Sequence, residues 1–188
     1  MPTAWGDESG SVADLDPGAF IFGAVIVLAE HVDSLRAAMR ALQLTSEKKI
    51  HWHDDSAKRH LEVMESIAEL PLEGLVVVRV GPTTDVPERR RRKCFEAFVP
   101  ALQALDCVHL TLESRGAHLD RKDRDMLAAL RSRKVVTSEL RLDHVPGPVE
   151  PILWIADAVC GAYVGQRTRG EMYFEEIRRL THVIEVQT

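Results

Sequence analysis

Asp7 and Glu8 stand together ahead of Ser9-Gly10, and two distant acids, Glu113 and Asp157, sit where a strand and a helix are expected. If folding gathers Asp7, Glu113 and Asp157, the set is made only of oxygen donors, which suits Mg²⁺ or Mn²⁺ better than zinc. Two such ions ~3.5–4 Å apart can activate a water and stabilise the leaving oxygen of a phosphodiester. The acids also repel one another. At ~4 Å and an effective dielectric near 20, each pair costs ~4 kcal/mol, which a proton or a cation must offset. The plainer reading takes the acids singly. Asp7 is then a turn residue beside a solvated Glu8, Glu113 pairs with Arg115, and Asp157 is the polar edge of an ordinary helix.

Other chemistry-bearing residues surround this set. Arg89-Arg90-Arg91-Arg92-Lys93 is the densest basic run. It reads as the solvated first turns of a helix or as a phosphate-contacting patch, with Arg91 and Arg115 as the nucleic-acid contacts. His51 or His53 near the acids could donate a proton or contact phosphate. Trp52 could stack on a base, although core packing is the commoner fate of Trp. His51-Trp52-His53-Asp54-Asp55 matches most of the H-x-H-x-D-H zinc signature of metallo-β-lactamase-like hydrolases, but Ser56 stands at the final His. No GxGxxG follows a strand and there is no GxxxxGK[ST], so dinucleotide and nucleotide cradles are unsupported. Ser9 lies outside any GxSxG and reads as a turn residue.

The elements that must position these groups are legible in the hydrophobic periods. Strands are expected at Thr3 to Asp7, Ala19 to Leu28, Leu75 to Val80, Cys107 to Glu113 and Glu139 to Leu142, with a possible closing strand from Val183 to Val186. Helices are expected over 31–43, after Asp55 or Ser56, from Pro87 with a kink or break at Pro100, over 121–131, from Glu150 or Pro151, and over 171–180. The first two strands predict an antiparallel hairpin, and strands joined by single helices predict parallel neighbours. The fold class is α/β, a mixed sheet of about five strands flanked by helices.

At 188 residues the chain reads as one domain, 1–188. A formal charge of −5 argues against non-specific coating of nucleic acid but not against a nuclease, since metal-holding acids add negative charge. No apolar run approaches a membrane span, and Asp7 and Glu8 occupy the place where a secretory signal carries Lys or Arg. A cytoplasmic location is expected. Cys94, Cys107 and Cys160 form no CxxC pair and read as buried reduced thiols.

Four short segments, in order, resemble the domain-of-unknown-function family 3800 (DUF3800). These are Asp7-Glu8-Ser9-Gly10, Lys49-Ile50-His51-Trp52, Leu112-Glu113-Ser114-Arg115 and Ile155-Ala156-Asp157-Ala158-Val159. One departure is Trp154-Ile155 ahead of Ala156-Asp157, where that family commonly shows Leu-Gln. The resemblance implies an RNase H-like fold and a metal-dependent nuclease site carried by Asp7, Glu113 and Asp157. Glu8 is then an outer acid of the metal site and His51 a proton-transfer or phosphate group. The expected substrate is nucleic acid, RNA slightly ahead of DNA. Two alternatives stand beside it: a non-catalytic module that binds nucleic acid or a protein partner, and a metal-dependent phosphohydrolase acting on small phosphate esters.

Overall fold

The computed structural model describes residues 1–12, 14–46 and 48–187. Among them six strands form one mixed sheet: β1 (Pro2–Ser9), β2 (Ala19–Leu28), β3 (Glu73–Val80), β4 (His109–Glu113), β5 (Arg141–Val145) and β6 (Thr181–Gln187). The spatial order is β5-β4-β1-β2-β3-β6. The expected hairpin forms, with β1 antiparallel to β2. β2 is also antiparallel to β3. β1 and β4, β4 and β5, and β3 and β6 pair in parallel.

Among the described residues five α-helices accompany the sheet: α1 (Val32–Leu42), α2 (Ala57–Ala68), α3 (Pro87–Ala104), α4 (Ala117–Ser132) and α5 (Pro151–Arg169). The two-residue period of β2 separates two cores. Ile21, Val25 and Val27 pack with α1, α2 and α5 on one face. Phe20, Phe22, Ala24 and Ile26 pack with α3 and α4 on the other. Cys94, Cys107 and Cys160 are buried and free, in keeping with their reading as reduced thiols.

The central element is α5. From Pro151 to Gly165 it carries no charged residue except Asp157, and nearly all of its side chains are buried. A helix apolar on all sides belongs inside a domain. Its entry is fixed by polar contacts. Glu150 accepts the Ile152 N–H at 3.3 Å and pairs with Arg36 of α1 at 2.6 Å. The Trp154 indole donates to the Gly147 carbonyl at 2.8 Å. The helix then crosses β2 at Gly23, where a Cβ would lie 2.5 Å from Cys160 Sγ.

The closing strand expected at Val183 to Val186 forms: it is β6, which pairs with β3 and brings the sheet to six described strands. Other expectations require correction. The helix expected over 171–180 is replaced by two 3₁₀ turns, Tyr173–Glu176 and Arg178–Leu180. Gly170, at φ 68°, ends α5, and the buried residues that follow, Phe174 and Ile177, are three apart, which suits three residues per turn. Helix α3 continues through Pro100 unbroken, held by the buried residues Phe95, Phe98, Val99 and Leu102 on both sides of it. Finally, β3 and β4 are joined by one helix yet are not neighbours, since β1 and β2 lie between them.

The approach of α5 to Gly23 gives a direct test. Gly23→Ala should destabilise the protein by about 1–3 kcal/mol through overpacking, measured by urea denaturation. Combined with Cys160→Ala, which removes the sulfur it meets, the same change should cost much less.

Candidate functional site

Register and alternation bring the first two acids together. Gly6 of β1 is the parallel partner of Leu112 of β4. One residue further on, Asp7, still within β1, and Glu113, the last residue of β4, therefore lie side by side. Leu110 and Leu112 point to the α3–α4 core, so Glu113 points to the α5 face. Asp7 shares the side of Trp5, which packs on the α5 core. Glu8 consequently turns to the opposite face.

Asp157 arrives on this face from α5. Its Oδ2 accepts the backbone N–H of Trp52 at 2.9 Å. Burial, followed by the charges of Asp157, Glu113 and Glu8, pushes the Asp7 carboxyl up to about 8, although the Glu8 N–H holds it down in part. The three predicted acids are thus electrostatic neighbours. They do not line one crevice, as the sequence suggests. Asp7, Glu8 and Glu113 line a cavity of about 140 Å³, with Arg91 and Arg115. Asp157 lines a second cavity of about 310 Å³, with Trp52 and His53, and Glu8 borders both.

Each acid already has a partner or a proton. Lys49 Nζ donates to both Glu113 oxygens at 2.9 Å. Glu8 pairs with Arg91 at 2.6 Å and with Arg115 at 3.4 Å. Burial raises the Glu8 carboxyl above its usual range, and the two arginines oppose that shift. Among the described residues, no group of three or more His, Cys, Asp or Glu side chains stands ready to hold a metal ion. The donor chemistry nevertheless fits a hard cation. All the donors are carboxylate oxygens, and the buried Asp7 would give up its proton to a positive charge placed beside Asp157. Glu8 is the exception, since two guanidiniums already occupy it.

Three predicted contacts take other roles. Arg91 is 2% exposed, so it is no surface phosphate contact. Its guanidinium pairs with Glu8 and with Asp123 at 2.5 Å and lies over the Phe22 ring. Trp52 is buried, stacked on His60 with ring centroids 3.9 Å apart, and its indole fills the space above Gly161, so it packs α5 and offers no platform for a base. His51 accepts the His53 N–H at 3.3 Å and so caps the 3₁₀ turn Trp52–Asp54, while His53 reaches the Asp157 cavity. Arg115 stays partly exposed at the rim of the smaller cavity.

Lys49, Asp123 and His144 are the residues that sequence reasoning left without a role. Asp123 is buried among Arg91, Arg115 and His144 Nε2, the last at 3.1 Å. Burial alone would raise its carboxyl, but the His144 hydrogen bond and Arg91 bring it below the usual range. The signal was present in the pattern. Asp123 shares a helical stripe with Leu127 and Leu130, and Arg91 shares one with Cys94, Phe95 and Phe98. A charge on an apolar stripe must find a partner inside.

No protein-family model matches the chain, and no curated protein sequence matches it. Solved structures do. RNase HII from Archaeoglobus fulgidus, determined in complex with PCNA, superposes with a TM-score of 0.56 at 16% identity, over 96% of this chain and 76% of that one. The fold is RNase H-like. Ribonuclease H2 from Pyrococcus horikoshii OT3 gives 0.48 at 14% identity, over 96% of this chain and 75% of that one. A variant of Bst-RNase HIII gives 0.47 at 12% identity, over 95% of this chain and 62% of that one. Asp7 and Glu113 thus sit on two adjacent parallel strands of an RNase H-like sheet, and Asp157 approaches from a helix packed on it.

Two stability predictions follow from these contacts. Between the ordinary carboxyl value of 3.8 and about 8, folded Asp7 keeps a proton that the unfolded chain has lost. Stability should therefore fall as pH rises through that window and level off above it. Asp7→Asn cannot ionise. In EDTA its melting temperature should exceed that of the wild type at pH 8 and converge with it near pH 4. Separately, Arg91→Met leaves the carboxylates of Asp123 and Glu8 short of charge and should cost about 3–5 kcal/mol in chemical denaturation.

Proposed function

We propose that this chain is a divalent-metal-dependent nuclease that hydrolyses nucleic-acid phosphodiester bonds, with RNA slightly ahead of DNA as the substrate. The observation that carries the reading is the crowding of the buried Asp7 of β1 by Asp157 of α5 and by Glu113 at the end of β4. Burying like charges together costs stability, which a proton on Asp7 offsets in the free protein and which a cation could offset in its place. The resemblance to DUF3800 and the ribonuclease name of the Archaeoglobus fulgidus neighbour support the same reading.

Asp7, Asp157 and Glu113 would hold the ion. A bound Mg²⁺ or Mn²⁺ would supply Lewis-acid charge for the attacking water and the leaving oxygen. Asp7, whose carboxyl is held up to about 8 by burial and its acidic neighbours, would have to release its proton to serve as a ligand. Arg115, at the cavity rim and anchored by Glu8 and Asp123, is placed to neutralise a phosphate. His53, on the wall of the Asp157 cavity, is the imidazole available to pass a proton to the leaving oxygen. In the reaction the water oxygen bonds phosphorus, one P–O ester bond breaks, and the proton ends on the departing oxygen.

One observation favours a second reading. Lys49 on both oxygens of Glu113 is also what a non-catalytic module with a retired site would show. The two readings part on one experiment. Labelled single- and double-stranded RNA and DNA are incubated with the protein in Mn²⁺, with Asp157→Asn as control. The nuclease reading expects cleavage by the wild type, lowered at least 10²-fold by Asp157→Asn or Asp7→Asn without loss of thermal stability. No cleavage of any substrate, with intact folding, favours the module.

A further inference from the structure

We infer that the outer side of the first turns of α4 carries the phosphate backbone of a nucleic-acid strand past the carboxylates, through Arg121, Lys122 and Arg124. The inference rests on the nuclease reading above and names the surface along which its substrate runs.

The stretch Asp120 to Asp125 alternates acids and cations and is neutral along the chain. The helix sorts these charges. Asp120 and Asp123, three residues apart, turn inward and are buried. Asp123 is taken by Arg91 and His144. Asp120 is taken by the Ser114 hydroxyl at 2.6 Å and the Arg115 N–H at 2.9 Å. Arg121 and Arg124 are left exposed and Lys122 half-buried, against the single exposed acid Asp125. Among the described residues these three cations make no side-chain hydrogen bond or ion pair. Their neighbours Arg89, Lys93 and Arg133 each hold a carboxylate. Arg121 and Arg124 are neighbours on the helix surface, so their like charges oppose one another. A polyanion laid over them relieves that repulsion.

The position fits a strand that reaches the acids. Ser114 and Arg115 line the small cavity with Asp7 and Glu113. Gly116, at φ 94°, turns the chain directly from that wall into α4. Asp120 ties the first turn of the helix back to Ser114 and Arg115, and Arg121 is the next residue. Arg115 at the rim and then Arg121 and Arg124, about 4.5 Å apart along the axis, form a row of cations leading away from the cavity. Contacts of this kind position a strand without reading its bases.

The test is binding of labelled single-stranded RNA and DNA of one sequence to the full chain in EDTA, where no metal is present to support cleavage. Fluorescence anisotropy is recorded between about 50 and 200 mM salt. Wild type should bind both strands, with log affinity falling linearly in log salt. Arg121→Gln should reduce that slope by about 0.7, one single-strand phosphate contact, and weaken binding about fivefold at about 0.1 M salt. Arg121→Gln with Arg124→Gln should reduce it by about 1.4. Arg121→Lys, which keeps the charge, should match wild type. Arg179→Gln removes an exposed cation ahead of β6, at the opposite edge of the sheet from β5, and should also match wild type. RNA and DNA should lose the same slope. A slope unchanged in both α4 variants, or lowered equally by Arg179→Gln, would overturn the inference. So would a loss confined to RNA, which points to the 2′-hydroxyl, or no binding of either strand. In each of these cases the Mn²⁺ cleavage assay decides the nuclease reading independently.

Discussion

Repulsion among carboxylates on the α5 face of the sheet is the constraint around which the rest of the structure is arranged. The parallel register of β1 and β4 sets Asp7 beside Glu113, and α5 lowers Asp157 onto the same face. None of these acids can be moved without undoing packing. Asp157 rides on a helix whose surrounding residues are buried, and Asp7 continues the strand that holds Trp5 in the core. The cluster is therefore maintained by apolar burial elsewhere, with local charge opposing it. Functional sites commonly have this character: the scaffold supplies the stability that the site gives up.

The two faces of the sheet handle charge differently. On the α3–α4 side, Glu8 and Asp123 are matched by Arg91 and Arg115, and His144 adds a hydrogen bond. That network is paired and rigid, as a buried set of ions must be. On the α5 side, the described partners are Lys49 on Glu113 and the Trp52 amide on Asp157, while Asp7 keeps a proton. The first network holds Glu8 and Arg115 at the mouth of the smaller cavity. The second leaves negative charge that a ligand can complete.

The basic run illustrates why charge density in a sequence is a poor guide to a binding surface. Its five residues fall on a helix, and a helix divides them among different faces. Arg91 goes inward, whereas Arg89 and Arg90 serve Asp85 and the Thr83 carbonyl at the helix start. What looked like one patch is thus partly core and partly capping. Trp52 tells the same story for aromatics, since its ring is spent on His60 and Gly161.

The linear sequence by itself determined the elements and the acids they carry. Continuous apolar and β-branched runs gave β2, at its full span, and β3, and clean alternation gave β4. Helical stripes gave α1 to α5 within a few residues and Glu113 ends β4 as expected, whereas β1 runs past Asp7 to Ser9 and Asp157 sits on a helix buried on nearly all sides, not at the edge of a stripe. These are local properties, fixed by which face of an element must leave water. The tertiary structure alone decided who meets whom. Lys49 reaches Glu113 across 64 residues and Arg91 reaches Glu8 across 83. It also decided that β6 joins the far edge, and that the chain after Gly170 folds as 3₁₀ turns instead of a helix. Periodicity reports that a charged residue is buried, but its partner comes from a distant segment, and only the packed sheet and helices choose which one.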